Sequence, residues 1–215
     1  PATACRSREP EALKPDPSRV AAPWPASLLA LVAGALLLAG YARGGPGWPL
    51  GFVALLPWLW LLDRRRSLAG TLLVAYAMTL ALVLAGFYWF GFAIGRFTQL
   101  GPVAGMALLL VFAPLLQPQL LAFALLRRAV RLRQGPLAGA LAGAAAWVGT
   151  EWLLLKPLGD TLGHGLYPSV WLRQGADLGG AVGLTVVLLL VNEALNAALA
   201  GRSRGARALA APLAL

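Results

Sequence analysis

The chain has 215 residues, 59% of them hydrophobic and 12% charged, with a mean hydropathy of +0.73. A soluble domain is nearer half apolar and a quarter charged, so this composition argues against a water-soluble globule. A net charge of +10 would suit a nucleic-acid binder only if the basic residues shared one exposed face. Here they fall in short clusters between apolar blocks, the pattern a membrane imposes, and no nucleic-acid partner is expected. One cysteine, Cys5, and one histidine, His164, exclude an intramolecular disulfide and Cys- or His-rich metal sites. The sequence reads as an integral membrane protein, an all-α polytopic helix bundle with no cofactor.

A membrane-crossing helix takes about 20 mostly apolar residues, and six stretches approach that. The first, about Ala26–Tyr41, follows a polar tail (1–21) and the segment Pro23-Trp24-Pro25. The second, Trp48–Leu62, is short and tryptophan-rich. With Pro49 and Pro57 inside it, it is expected to kink or lean on its neighbours, because proline removes a backbone donor and clashes one turn back. The third is about Leu68–Phe92, ending in Phe87-Tyr88-Trp89-Phe90. The fourth is about Val103–Leu126, with Pro114 and Pro118 inside. The fifth, about Leu137–Leu155, is rich in Ala and Gly, and the sixth is about Leu178–Ala200. Residues Ala206–Leu215 turn apolar again. Ten residues cover only about 15 Å of a core about 30 Å thick, so they read as the start of a truncated seventh span or as a frayed interfacial helix. The first residue is Pro rather than Met, and both ends look like those of a fragment. The expected organisation is a basic tail (1–21), a six-span domain (22–205) and the opening of a seventh span (206–215).

The basic residues set the orientation. Arg6, Arg8, Lys14 and Arg19, then Arg64–Arg66, then Arg127, Arg128, Arg131 and Arg133, then Arg202, Arg204 and Arg207 collect on one side. Only Arg43, Arg96, Lys156 and Arg173 fall on the other. The positive-inside rule places the first group, and the N-terminus, in the cytoplasm. Leu28–Leu38 could serve as the apolar stretch of a signal peptide, but Gly40-Tyr41-Ala42 is a poor cleavage site. No internal repeat is visible, which weakens a transporter built on inverted repeats.

No Walker A loop, GxGxxG after a strand, HExxH or GxSxG occurs. Glycine pairs four apart (Gly101/Gly105, Gly139/Gly143, Gly179/Gly183) read as sites of close helix packing. Ionisable groups inside spans are the default functional hypotheses. Glu151 lies about 21 Å from the inner end of span five and Glu193 about 10 Å from the inner end of span six, too far apart in depth for a direct pair or one proton hop. Asn192, Glu193 and Asn196 are expected to tie span six to a neighbour or to reach the headgroups. The outward loop Lys156–Asp177 mixes Tyr167, Trp171 and Leu172 with Lys156, Asp160, His164, Arg173 and Asp177, a composition suited to the headgroup zone. His164 has only Ser169 and Thr161 as nearby hydroxyls, with no diagnostic spacing. Cys5, on a short cytoplasmic tail, has no fixed neighbours to activate it.

In order and spacing, several segments resemble the apolipoprotein N-acyltransferase family. Gly45-Pro46-Gly47-Trp48-Pro49-Leu50 through Ala54-Leu55-Leu56-Pro57 is similar to its "P…W-P-L-x-F-x-A-L-x-P-L" segment, and Gly86-Phe87-Tyr88-Trp89 to its "G…Y-W". Ala146-Trp147-Val148-Gly149-Thr150-Glu151-Trp152-Leu153 resembles "W-V-x-x-E-W-L-R". Leu162-Gly163-His164, Ala176-Asp177-Leu178, Gly180, Gly183-Leu184-Thr185 and Val191-Asn192 resemble "L-G-[YH]-S-Q…A-D-x-x-G-V-Y-G-[LV]-S-F…V-N". The likeness covers about residues 44–200. Leu154 stands where the family has Arg, Val182 where it has Tyr and Thr185 where it has Ser, so the chain reads as a divergent member.

The resemblance implies a bacterial inner-membrane enzyme that moves a fatty acyl chain from phospholipid, through a cysteine thioester, to the α-amine of a lipoprotein's diacylglyceryl-cysteine. It also implies that this chemistry sits in a periplasmic nitrilase-like domain with a Glu-Lys-Cys triad, inserted after a seventh span or encoded separately. Glu151, Lys156 and Cys5 cannot replace that triad, since Cys5 and Lys156 face opposite sides. No catalytic residue is therefore expected in this stretch. The expected lipid-contact residues are Tyr88, Trp89, Glu151, Trp152, His164, Tyr167 and Trp171, with phospholipid and the apolipoprotein as partners. The alternative function is a small transporter or scaffold using Glu151 and Glu193, or a membrane half serving another glycolipid or acyl enzyme.

Overall fold

The computed structural model describes residues 22–154 and 159–201. The expectations for the tail 1–21, Cys5, Lys156 and residues 206–215 lie outside the described residues. The described chain is all-α. Four segments are long and apolar enough to cross a membrane: Trp24–Ala42, Gly45–Asp63, Leu68–Gly86 and Ala176–Leu199. A bent pair, Gly101–Leu116 with Pro118–Gln134, adds a fifth if its two helices form one span, so the described residues hold four or five candidate spans against the six expected; the helix Pro136–Leu153, on the fifth expected stretch, is not among them.

Helix α1 (Trp24–Ala42) carries Pro25 in its first turn, where the missing N–H has no partner to lose. Gly44 and Gly45, both at positive φ, reverse the chain into a 3-10 segment, Gly45–Phe52, and then α2 (Leu56–Asp63). The second expected span is therefore broken between Phe52 and Leu56, as its prolines foretell. Asn192, reaching across from the last long helix, satisfies the freed backbone: its Oδ1 accepts from Leu55 N at 3.0 Å and its Nδ2 donates to Gly51 O at 2.8 Å.

Ser67 caps α3 (Leu68–Gly86) by accepting from Gly70 N at 3.0 Å, the usual service of an N-cap hydroxyl. The third expected span ran on to Phe92, but α3 stops at Gly86. Phe87 leaves helical geometry (φ −118°, ψ 13°), and Tyr88, Trp89, Phe90 and Phe92 belong to a separate helix, α4 (Tyr88–Phe97). This helix folds back on α5 (Gly101–Leu116) through Gln99 and Gly101, both at positive φ. The hairpin closes glycine against glycine: a Cβ on Gly105 would lie 2.3 Å from Gly91 O and 2.4 Å from Gly95 N. Gly105→Val should therefore force α4 off α5 at a cost of about 1–3 kcal/mol. That appears as a lower melting temperature and faster proteolysis at the 98–100 turn; unchanged cleavage would show that the hairpin has no such closure.

The fourth expected span, Val103–Leu126, is likewise two helices. Gln117 (φ −131°, ψ 55°) separates α5 from α6 (Pro118–Gln134), and their axes differ by 43°. Proline at position 118 disfavours a helical residue before it and supplies no donor to the turn behind it. The helix α6 runs beyond Leu126 to Gln134, so Arg127, Arg128 and Arg131 lie on helix rather than in a loop. Gly135, at φ 93°, turns the chain into α7 (Pro136–Leu153). This helix packs closely along α6, because a Cβ on Gly139 would lie 2.6 Å from Arg131 Cβ and one on Gly143 2.9 Å from the Phe123 ring. The third glycine pair does not follow this rule. Gly179 and Gly183 face open space, so they are not packing contacts.

A 3-10 segment, Leu162–Leu166, and α8 (Val170–Gln174) lead into α9 (Ala176–Leu199), which kinks at Gly180 (φ 65°). The core is built around Trp58, Phe123 and Trp147, from α2, α6 and α7. Their ring centroids are 5.4 Å and 6.0 Å apart in sequence order of contact, within the range of favourable aromatic pairs. Leu55, Leu59, Met78, Leu120 and Leu189 surround them.

Two polar clusters mark the two ends of the bundle. At the end where α2, α6 and α9 carry Asp63, Arg127 and Glu193, the Arg127 guanidinium forks onto the Glu193 carboxylate through Nε and through Nη2 at 2.8 Å, and Nη1 donates to Asp63 at 2.9 Å. Arg131 also pairs with Asp63, at 2.9 Å, and Asn196 Nδ2 donates to it at 3.0 Å. Asn192, Glu193 and Asn196 thus fasten α9 to its neighbours. The other end carries the pocket.

Candidate functional site

The end of the bundle opposite Arg127 holds a pocket of about 370 Å³ between the C-terminal ends of α1, α3 and α7, the start of α6 and the loop before α8. Its floor is apolar, with Leu38, Leu82 and Trp147. Its wall carries Tyr41, Gln117, Gln119, Glu151, Asp160 and His164, with Tyr167 at the rim.

Glycine builds the first wall. A Cβ on Gly165 would lie 2.3 Å from the Tyr41 ring, and one on Gly51 2.6 Å from it. Tyr41 therefore fits only because both neighbours lack side chains. Its hydroxyl donates to the Leu162 carbonyl, fixing the loop to the top of α1.

Glu151 anchors the second wall. Its Oε1 accepts from Trp147 Nε1 at 2.9 Å, one helical turn below on α7, and its Oε2 accepts from Thr161 Oγ1 at 2.8 Å. Thr161 lies 2.7 Å from the Thr185 hydroxyl, which accepts from Gly163 N at 2.8 Å and donates to Ala181 O at 3.0 Å. Gly163 itself sits against α9, where a Cβ would lie 1.9 Å from Ala181 O. One carboxylate on α7, two hydroxyls and a glycine contact thus hold the loop onto α9.

The third wall carries two buried amides. Gln119 Nε2 donates to Gln117 Oε1, while Gln119 Oε1 is buried with no hydrogen-bond partner. A buried acceptor left in that state is costly, and this one belongs to a residue that lines a pocket. With Glu151 and Asp160 nearby, the wall is rich in acceptors, and no Lys or Arg is among the described residues that line it.

Of the seven residues expected to contact lipid, Glu151, His164 and Tyr167 come together here. Trp152 and Trp171 are 78% and 83% exposed and do not line the pocket, and Tyr88 and Trp89 stand on the α4–α5 hairpin, half exposed. Tyr41, Gln117, Gln119 and Asp160 were not legible as site residues. Gln117 and Gln119 offered one signal, a pair of amides flanking a proline within an apolar run, and Tyr41 read only as the end of a span. Glu193 lies at the other end of the bundle and is paired with Arg127, so nothing in the geometry joins the two span carboxylates into a relay. Among the described residues no group of three His, Cys, Asp or Glu side chains converges to hold a metal ion.

No curated protein and no solved structure matches this chain. The profile of the apolipoprotein N-acyltransferase N-terminal domain matches residues 33–194, about three-quarters of the sequence. That match spans the broken second segment, the Trp147–Glu151 turn, the Thr161–Thr185 contact and Asn192. The chain is a helical membrane protein of the apolipoprotein N-acyltransferase family, which it joins through that family's N-terminal domain.

Proposed function

We propose that this chain is the membrane-embedded part of an apolipoprotein N-acyltransferase, the enzyme that passes a fatty acyl chain from phospholipid to the N-terminal diacylglyceryl-cysteine of a lipoprotein. Its role is to anchor the nitrilase-like catalytic domain at the bacterial inner membrane and to receive lipid substrates. In this reading the Arg127 end is cytoplasmic and the Tyr41 end periplasmic, by the bias of basic residues. This reading takes six crossings, by α1, the segment Gly45–Asp63, α3, α5–α6, α7 and α9, counting α7 although it is not among the spans that length and composition single out, and puts the α4–α5 turn at the periplasmic end.

The observation that carries this reading is the pocket at the Tyr41 end. An apolar floor with an acceptor-rich wall suits a lipid whose headgroup ends in an ammonium, because the Gln119 amide oxygen lacks a donor and the Glu151 carboxylate places negative charge on the same pocket. Glu151→Gln keeps the hydrogen bond to Thr161 and removes the charge. Photoactivatable phosphatidylethanolamine should then label the pocket peptides about tenfold less, the worth of one charge-assisted hydrogen bond. Labelling by phosphatidylglycerol should be unchanged. Equal labelling of parent and variant removes the headgroup reading, and a hydroxylamine-sensitive acyl adduct on the purified polypeptide alone would overturn the role assigned to it.

A further inference from the structure

The turn between α2 and α3, at the Arg127 end of the bundle, gathers guanidinium groups that no carboxylate neutralises. Asp63 and Glu193 are taken up by Arg127 and Arg131. Among the described residues Arg64, Arg65 and Arg128 pair with no carboxylate, and neutral groups fix each of them instead. Arg64 lies over the Trp60 ring, 3.8 Å from its centroid. Arg65 Nη2 donates to Ser27 Oγ on α1 at 2.9 Å, while its Nε is buried with no acceptor. Arg128 reaches over from α6 and donates through Nη1 to the Arg65 carbonyl at 2.9 Å and through Nη2 to the Arg66 carbonyl. Held guanidinia with donors to spare are the groups that bind a phosphate at several oxygens at once. An open groove of about 570 Å³ begins beside them. Leu68, two residues after Arg66, and Ala129, the residue after Arg128, line its near end, and Leu125, Ala146, Thr150 and Leu153 continue it along α6 and α7.

We propose that this turn and this groove form one binding site for an anionic phospholipid of the leaflet at the Arg127 end, with the phosphate on Arg65 and Arg128 and an acyl chain between α6 and α7. Two observations converge on that occupant. The first is charge: the orphaned Arg65 Nε and the guanidinium of Arg128 both lie against the backbone of residues 65–66, and neither has a counter-ion of its own. A basic cluster at the membrane surface draws anionic lipid, and buried or half-buried donors without an acceptor add a directional demand. The second is continuity. The apolar groove opens where the cations stand, and its α7 wall runs on from Ala145 to Leu153, about 12 Å at the helical rise. Polar head and apolar chain thus meet their complements in the order in which a phospholipid presents them. The site lies at the opposite end of the bundle from the Tyr41 pocket and does not depend on the acyltransferase role.

Native mass spectrometry of the purified full chain tests the site, by titration with dioleoylphosphatidylglycerol in about 0.5 M ammonium acetate, which screens long-range attraction. Arg65→Gln and Arg128→Gln should each weaken the first phosphatidylglycerol bound by about tenfold, the loss of a charge-assisted hydrogen bond. Arg133→Gln removes an exposed charge from the same end of α6 and should change it by less than about twofold, as a screened surface charge does. Equal losses in all three variants would show diffuse attraction and overturn the proposal. Arg128→Lys separates phosphate binding from pinning of the turn. It keeps a cation at the site and should stay within about threefold of the parent, and a loss as large as that of Arg128→Gln overturns the phosphate contact. Gly149→Leu tests the chain: its Cβ enters open space on the groove wall, so the variant folds and obstructs the groove. Phosphatidylglycerol binding unchanged by it, or displaced by an equal concentration of inorganic phosphate, would show a site for the free anion and sink the lipid.

Discussion

Replacing Arg127 with Met should lower the unfolding free energy by about 3–5 kcal/mol, the cost of stranding buried carboxylates. The guanidinium is 3% exposed, and its carboxylate partner Glu193 is 4% exposed. Among the described residues Glu193 pairs with no cation besides Arg127, whereas Asp63 keeps Arg131 and Asn196. The loss therefore falls on Glu193 and on the joint between α6 and α9. Two further variants separate pairing from packing. Arg127→Lys retains a charge but cannot form the planar fork on Glu193, so it should fall between the parent and Arg127→Met. Arg127→Met with Glu193→Leu removes both charges and should recover most of the loss, since a neutral apolar pair does not need solvation. Melting temperatures in one fixed detergent check the order of the four proteins. A loss under about 1 kcal/mol for Arg127→Met would mean a solvated pair of surface type and would contradict the burial.

The same cluster shows where sequence reading stops. The count of basic residues put Arg127, Arg128, Arg131 and Arg133 together, and α6 carries all four. What the count could not distinguish was Arg127, turned inward, from Arg128, whose Nη1 donates to the Arg65 carbonyl at 2.9 Å. The helical period separates these neighbours by about 100°, but the buried face is fixed only once α2 and α9 are placed, and Asp63 and Glu193 lie more than sixty residues away on either side. Helix breaks were half legible for a similar reason. Pro49 and Pro57 announced disruption of the second span, and the chain does break between them, whereas the fourth span read as continuous although it breaks at Gln117, before Pro118 and not at Pro114. The break at Phe87 has no proline and no polar residue, so the aromatic run read as continuous span. Its cause is tertiary: α4 turns to meet α5 through Gly91, Gly95 and Gly105. At the pocket, Glu151 was legible as a carboxylate inside an apolar helix, whereas Tyr41 needed Gly51 and Gly165 to be seen around it.

Asn192→Leu should cost about 2–5 kcal/mol, from two backbone groups left unpaired where water does not reach. Asn192 is fully buried. It accepts from Leu55 N and donates to Gly51 O, and it also donates to its own Leu188 O at 2.9 Å. The first two are the groups that the broken segment Gly45–Asp63 cannot satisfy by itself, because Pro49 and Pro57 interrupt its helix. A prolyl break near residue 50 and an asparagine 137 residues beyond Leu55 are thus one structural unit. That unit joins the segment Trp48–Pro57 to Asn192 in this chain. Leucine matches the volume but offers neither donor nor acceptor. Aspartate keeps the acceptor for Leu55, loses the donor to Gly51 and adds a buried charge, so Asn192→Asp should be no milder than Asn192→Leu at neutral pH. Hydrogen exchange at the Leu55 amide reads the break directly. In Asn192→Leu it should accelerate about a hundredfold or more, the equivalent of about 2.8 kcal/mol of lost protection, with smaller changes on α7. Protection of Leu55 unchanged by the substitution would show that another group satisfies the break, and the link between the two motifs would be lost.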